Sequence, residues 1–158
     1  MLLLGNVIGQ SRNTQNRTLI SYGAEGRIWP GSSLSLSHNT LLSPGFVPGR
    51  FLRMHEQNLP AGFKLLAVNN VLAGLAVFEW GNEGRFEGNV HTLGRWLRGP
   101  TAMDFALPSD SDQRSAAVDA ARFAAGEGRT LRPKYQFNLP IGKRELPAEG
   151  PLAPGALQ

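Results

Sequence analysis

Arg85, Glu87 and His91 come closest to a catalytic constellation in this 158-residue chain. Glu87, or Glu79 in its place, offers a general base. His91 offers a general acid, and Arg85 or Arg95 a cation for a phosphate, which is the set that RNA cleavage requires. Arg85 and Glu87 share strand parity, and His91 joins them if the strand continues through Gly88. The enzymatic reading is therefore a small RNase-like toxin domain. A solvated sheet face carries the same residue types with no chemistry attached, so the trio alone does not make a site.

Other chemistries find less support. The histidines are His38, His55 and His91, and none stands in an HxH, HxxxH or HExxH spacing. His55 and Glu56 fall on opposite faces of a strand, which is poor for joint ligation. There is no cysteine, which excludes disulfides, thiolate metal sites and cysteine nucleophiles. No GxSxG elbow frames a serine, and no GxxxxGK[ST] loop cradles a phosphate. "GAEGRIWPG" does not lead into a helix. Trp29, Trp80 and Trp96 could stack bases, but such residues more often anchor cores and interfaces. No catalytic residue, metal or cofactor is expected, and the chain is read as a non-enzyme.

The elements around these residues read as mainly β. Nineteen glycines and eleven prolines, against about 12 % of average usage for the two together, favour turns and extended segments over long helices. Thr18 to Ser21 and Arg27 to Trp29 read as short strands. "SLSLS" alternates, so Leu34 and Leu36 face a core while Ser33, Ser35 and Ser37 face away. Pro44-Gly45 and Pro48-Gly49 mark turns, with Phe46 and Val47 plugging a loop. "RFLRMHEQ" is strand-like. "FKLLAV" and "VLAGLAVFEW" read as a hairpin around Asn69-Asn70, and the apolar Leu72 to Trp80 run as a central strand. One short helix is expected at about 110–125, capped by Ser109 or Ser111 and ended by Gly126 and Gly128. Its apolar face is thin, with only Val118 and Phe123 large. No internal repeat is read. The expected fold is a small β-barrel or β-sandwich with that helix and extended terminal arms. Residues 1–15 form the N-terminal arm, 16–128 the body, and 129–158 a Pro-rich tail whose ordering calls for something to dock on.

The formal net charge is +4, and thirteen of the sixteen cations are arginine. They are scattered, whereas a nucleic-acid footprint is usually a clustered stripe. "MLLLGNVIG" lacks the basic and apolar regions of a signal peptide, and "VLAGLAVFEW" is too short to span a bilayer. The protein is expected to be soluble and intracellular at synthesis.

"GAEGRIWPGSSLSLS", followed by "PGRFLRMHEQNLPAGF", resembles the opening of small β-rich decoration (cement) proteins of tailed-bacteriophage heads. The likeness covers about the first 60 residues. It rests on Ile28, Pro30, Gly31, Leu34 and Leu36, an I-x-PG-x-x-L-x-L pattern. The resemblance implies a virion structural protein on the capsid surface, present in the host cytoplasm during assembly. Its partner would be the major capsid protein, and it would sit there as a homo-oligomer, dimer or trimer. Membrane and nucleic acid are not expected partners. Arms laid on a neighbour would place the contacts at Arg12, Arg17, Arg129, Arg132, Lys134, Tyr135, Phe137 and Arg144. Another phage head or tail component (minor capsid or connector), the RNase-like toxin and a basic RNA-binding subunit of a larger particle are the alternatives.

Overall fold

A computed structural model describes residues 1–26, 28–45, 47–78, 84–138 and 141–158. Arg27, Phe46, Glu79, Trp80 and residues 81–83 and 139–140 lie outside the described residues.

The expectation of a mainly β body around one core is met. The strand pairings add an architecture that the apolar pattern alone could not give. The chain winds in coils. The first coil carries β1 (Leu2–Leu4), β2 (Val7–Gly9) and β3 (Thr18–Tyr22). The second carries β4 (Ser33–Ser37), β5 (Thr40–Ser43) and β6 (Gly49–Met54). The third carries β7 (Lys64–Val68), β8 (Val71–Gly74) and β9 (Ala76–Val77). A fourth begins with β10 (Arg85–Glu87) and β11 (Val90–Thr92). Each strand pairs in parallel with its counterpart one coil away. Sheet one is β1-β4-β7-β10, sheet two is β2-β5-β8-β11, and sheet three is β3-β6-β9. This is a parallel β-solenoid, in which each coil buries its apolar face only by stacking on the next.

The internal repeat that the sequence reading missed is therefore present. Each passage from sheet one to sheet two is a residue of positive φ followed by asparagine: Gly5-Asn6, His38-Asn39, Asn69-Asn70 and Gly88-Asn89, with φ of 69°, 50°, 54° and 63° at the first residue. The left-handed residue bends the chain between sheets, and asparagine and histidine tolerate it better than most. The expected hairpin at Asn69-Asn70 is thus a corner: β7 and β8 lie in different sheets and never pair with each other. The repeat was hard to see because the coils differ in length. Asn6 to Asn39, Asn39 to Asn70 and Asn70 to Asn89 are 33, 31 and 19 residues apart.

The four asparagines stack inside the corner. Asn6, Asn39 and Asn70 each donate both side-chain and backbone N–H to the Oδ1 of the next asparagine, at 2.8–3.1 Å. Asn39, Asn70 and Asn89 also donate Nδ2 to the carbonyls of Leu3, Leu36 and Ala67 at 2.8–3.0 Å. Asn39 and Asn70 are fully buried, so these bonds offset the desolvation cost of their two side-chain amides in a dry interior. Around this ladder Leu34, Leu36, Leu41, Phe51, Leu52, Leu65 and Leu72 fill the core. The alternation read from "SLSLS" holds: Leu34 and Leu36 point inward and Ser35 and Ser37 outward.

Those serines are nevertheless buried, because the rest of the chain wraps the solenoid. Ala120, Phe123, Ala125 and Leu131 pack with Val68 over sheet one. Leu97 and Leu107 pack with Val71 and Ala73 over sheet two. The stretch expected as the short helix supplies part of this wrap. It holds two 3-10 turns, Asp112–Ala116 and Ala120–Arg122, rather than one continuous run. Ser111 caps the first, as expected, accepting from Gln113 N. Val118 is then pulled straight by paired bonds to Asn69: its N–H donates to Oδ1 at 2.9 Å, and its carbonyl accepts from Nδ2 at 2.8 Å. A thin apolar face cannot outweigh that tie.

The ends of the chain also belong to the body. Within the expected N-terminal arm, β1 and β2 are full members of sheets one and two. The tail docks on its own chain. It forms a hairpin of β12 (Tyr135–Phe137) and β13 (Lys143–Glu145). It then buries Leu152, Ala153, Ala156 and Leu157, with Gly155 N donating to Asn69 O and Ala156 N to Thr40 Oγ1.

His38 latches the wrap. Its side chain is 1 % exposed. Ser37 Oγ donates to Leu131 O at 2.7 Å, so it accepts from His38 Nδ1–H at 2.9 Å. His38 Nε2 then accepts from Asn69 Nδ2 at 3.2 Å. Burial first, and Arg132 second, lower its pKa from the ordinary 6.5 to about 4, against an opposing backbone bond to Leu131. A histidine depressed on folding contributes stability that is complete above the unfolded pKa and is lost as pH falls toward the folded one.

Two outcomes follow for stability. Asn70→Ala orphans the Leu36 carbonyl and the donors of Asn39, and should cost about 3 kcal/mol in urea unfolding, against about 1 kcal/mol for Asn6→Ala at the ladder's end. Between pH 6.5 and 4 the wild type should lose on the order of 3 kcal/mol through His38. In His38→Asn, which keeps the left-handed backbone, the decline over that window should be smaller by the same amount.

Candidate functional site

The solenoid separates the candidate acid–base trio. Arg85 and Glu87 continue the outward column of Leu66 and Val68, facing the wrap. They pair with each other at 2.5 Å, and the Arg85 guanidinium lies 4.6 Å over the Phe123 ring. His91 lies beyond the Gly88-Asn89 corner, in register with Leu72 and Leu41 but exposed at the end of that column. Its Nε2–H donates to the Gly74 carbonyl at 2.8 Å, and its ring stands edge-on to Phe51. Strand parity failed here because the strand does not run through Gly88: the chain turns there. Glu79 lies outside the described residues. His55 bonds Ser21 Oγ at 3.0 Å on sheet three. Among the described residues no group of three or more His, Asp or Glu converges on a metal site. No helix among them is long and apolar enough to cross a membrane.

The residues expected to meet a partner fall into three places. Arg132 and Arg144 are used inside the tail: Arg132 donates to the carbonyls of Gly150 and Pro147 at 2.7 Å, and Arg144 to that of Gln158 at 3.4 Å. Arg129 is exposed and paired with Glu127. Lys134, Tyr135 and Phe137 stand exposed on the hairpin, where Lys143 Nζ lies 4.4 Å over the Tyr135 ring. Arg12 and Arg17 lie elsewhere, along a furrow that crosses the corner between sheets two and three.

That furrow is the candidate site. The wrap leaves this corner and the outer face of sheet three uncovered. Three adjoining clefts, of about 760, 390 and 460 Å³, follow it. Gly74, Leu75 and Leu93 are shared by the first two, and Pro48 and Val77 by the last two. Arg12 and Arg95 line one end, and Arg17 and Arg50 the other. Between them lie Leu75, Val77 and Trp96, exposed by 50 %, 39 % and 57 %. Among the described residues no acidic side chain lines any of the three clefts. Asp104, next to the furrow residue Phe105, is claimed by Arg98 at 2.5 Å, and that hydrogen bond holds its carboxyl below the usual range. Arg17, Arg50 and Arg53 make no ion pair among the described residues. Arg53 stands beside Ser21 on the same open sheet.

Several local constraints shape the floor. Gly74 has φ of 140°, and a Cβ there would lie 2.0 Å from the Ser43 carbonyl, so only glycine lets β8 turn toward β9 at this point. The Gly74 carbonyl is held in turn by His91, which positions it. Sequence reasoning missed Arg50, Arg53 and Trp96 as members of one surface. Arg17 and Arg50 are far apart in the chain, and only the 32-residue step from Thr18 to Arg50 between paired strands brings them together. Knowledge of the corner repeat would have supplied that step.

No protein-family model, curated protein or solved structure matches this chain.

Proposed function

We propose that this protein is a non-catalytic structural module that docks on an acidic partner through the furrow. The observation that carries this reading is charge: four arginines, and among the described residues no carboxylate, line a continuous open surface. Arginine holds carboxylates in bidentate geometry and is less strongly hydrated than lysine, which suits interfacial pairing. A rigid solenoid fixes the spacing of these cations, so little ordering is required when they engage. The separation of Arg85 and Glu87 from His91 removes the main argument for an RNase-like domain. The scattered tail cations offer no continuous stripe for RNA.

The likeness of Ile28, Pro30, Gly31, Leu34 and Leu36 to phage-head decoration proteins favours one setting for this module: the acidic outer surface of an assembled capsid. Binding the assembled shell and not its free subunits would stabilise the shell by mass action.

The test is binding of fluorescent polyglutamate by anisotropy, with co-sedimentation on expanded phage heads as the second arm. The triple variant Arg17→Gln, Arg50→Gln, Arg95→Gln should weaken polyglutamate binding about thirtyfold and flatten its salt dependence, with unfolding unchanged. Equal binding by the variant and the wild type would sink the furrow as the docking surface. Retention on free capsid subunits as strong as on heads would remove the decoration role.

A further inference from the structure

The sheets are unequal. Sheets one and two have four strands each, whereas sheet three has three and ends at β9. The chain that would supply its fourth strand follows β11. Instead it enters a 3-10 turn at Gly94–Trp96 and then runs over sheet two, where Leu97 and Leu107 are buried. The middle cleft of the furrow lies at this vacated position. Its walls are Ala76 and Val77 of β9, His91 to Leu93 leaving β11, Pro48 and Trp96.

β9 presents an edge there. The Leu75 carbonyl accepts from Gly49 N at 3.3 Å, toward β6. Alternation along a strand turns the N–H and C=O of Ala76 the other way, toward the middle cleft, which Ala76 lines at 4 % exposure and which no strand among the described residues fills. Leu75, Val77 and Trp96 supply exposed apolar surface along that edge. The cations stand at its two ends, Arg17 and Arg50 beyond Val77, and Arg95 beyond Leu93.

We propose that the vacancy is a docking groove for an extended acidic segment of a partner protein, which adds to β9 as the fourth strand of sheet three. The inference rests on the furrow reading above and names the form its partner takes. A polypeptide is the occupant that matches both features. Its backbone pairs with an open strand edge, which a nucleic-acid strand cannot do. Its carboxylates meet the arginines at either end. Sequence-tolerant binding of single-stranded nucleic acid uses several aromatic platforms for successive bases, whereas among the described residues Trp96 and the His91 ring are the aromatic groups lining the middle cleft. A second copy of this chain is a poor occupant, since each carries a net charge of +4.

The experiment uses the full chain and a fluorescein-labelled decapeptide alternating glutamate and valine, read by anisotropy. Two further peptides of the same sequence carry N-methyl groups on alternate amides, one set on each edge of the extended strand. Strand addition predicts that one methylated peptide binds like the parent, and that the other is weakened about tenfold or more, having lost its bonds to β9. Trp96→Ala should weaken the parent peptide as well. Equal affinity of all three peptides would overturn strand addition while leaving arginine-dependent docking intact. Tighter arginine-dependent binding of single-stranded DNA than of the parent peptide would likewise overturn the polypeptide assignment. No binding of any peptide or of polyglutamate would overturn the furrow reading and this inference together.

Discussion

The amide stack of Asn6, Asn39, Asn70 and Asn89 is the constraint on which the molecule depends. The side chains of Asn39, Asn70 and Asn89 each satisfy backbone groups of the coil before them, and the amides pair from one coil to the next. A parallel stack has no other way to turn a sharp corner indoors, because the turn exposes N–H and C=O groups that no strand can pair. The asparagines fill that need, and in doing so they fix the register. One-residue slippage would break the ladder and turn Leu34 and Leu36 out of the core together. Register in turn sets which residues share a surface, so the furrow is a consequence of the corner.

Coverage decides what is left for function. The outer faces of sheets one and two are apolar, with Val68, Val71 and Ala73, and the chain spends residues 97–131 and its last turn covering them. Sheet three needs no such cover. Its exposed residues include Ser21, Arg50 and Arg53, which water solvates well. The arginines stand open beside the apolar strip of Leu75, Val77 and Trp96, which the wrap leaves uncovered. The vacated fourth position of the sheet arises from the same route: the chain leaves after β11 in order to cover sheet two.

The latch at His38 ties these parts together. The first residue of a corner must accept a left-handed backbone, and glycine does so at two of the four. His38 and Asn69 accept it with side chains, and both side chains reach the wrapping segment, through Ser37 to Leu131 and directly to Val118. The corner and the wrap are therefore one network. Burial, with Arg132 adding to it, disfavours the charged ring and keeps His38 neutral in this network.

The sequence by itself determined the class of the body and the polarity of its strands. "SLSLS" told which residues face inward, Ser111 told where a turn begins, and the absence of cysteine and of ligand spacing removed whole chemistries. Those readings depend on neighbours within a few residues, where period-two alternation and capping operate. The tertiary structure decided the rest. That Asn69-Asn70 is a corner and no hairpin depends on partners 31 residues back and 19 ahead. Likewise Leu131 and the last turn rest on their own solenoid and not on a neighbour, and Arg17 stands with Arg50 while His91 stands apart from Glu87. Each of these follows from pairing between coils of unequal length, and unequal length is what hides a repeat from local pattern.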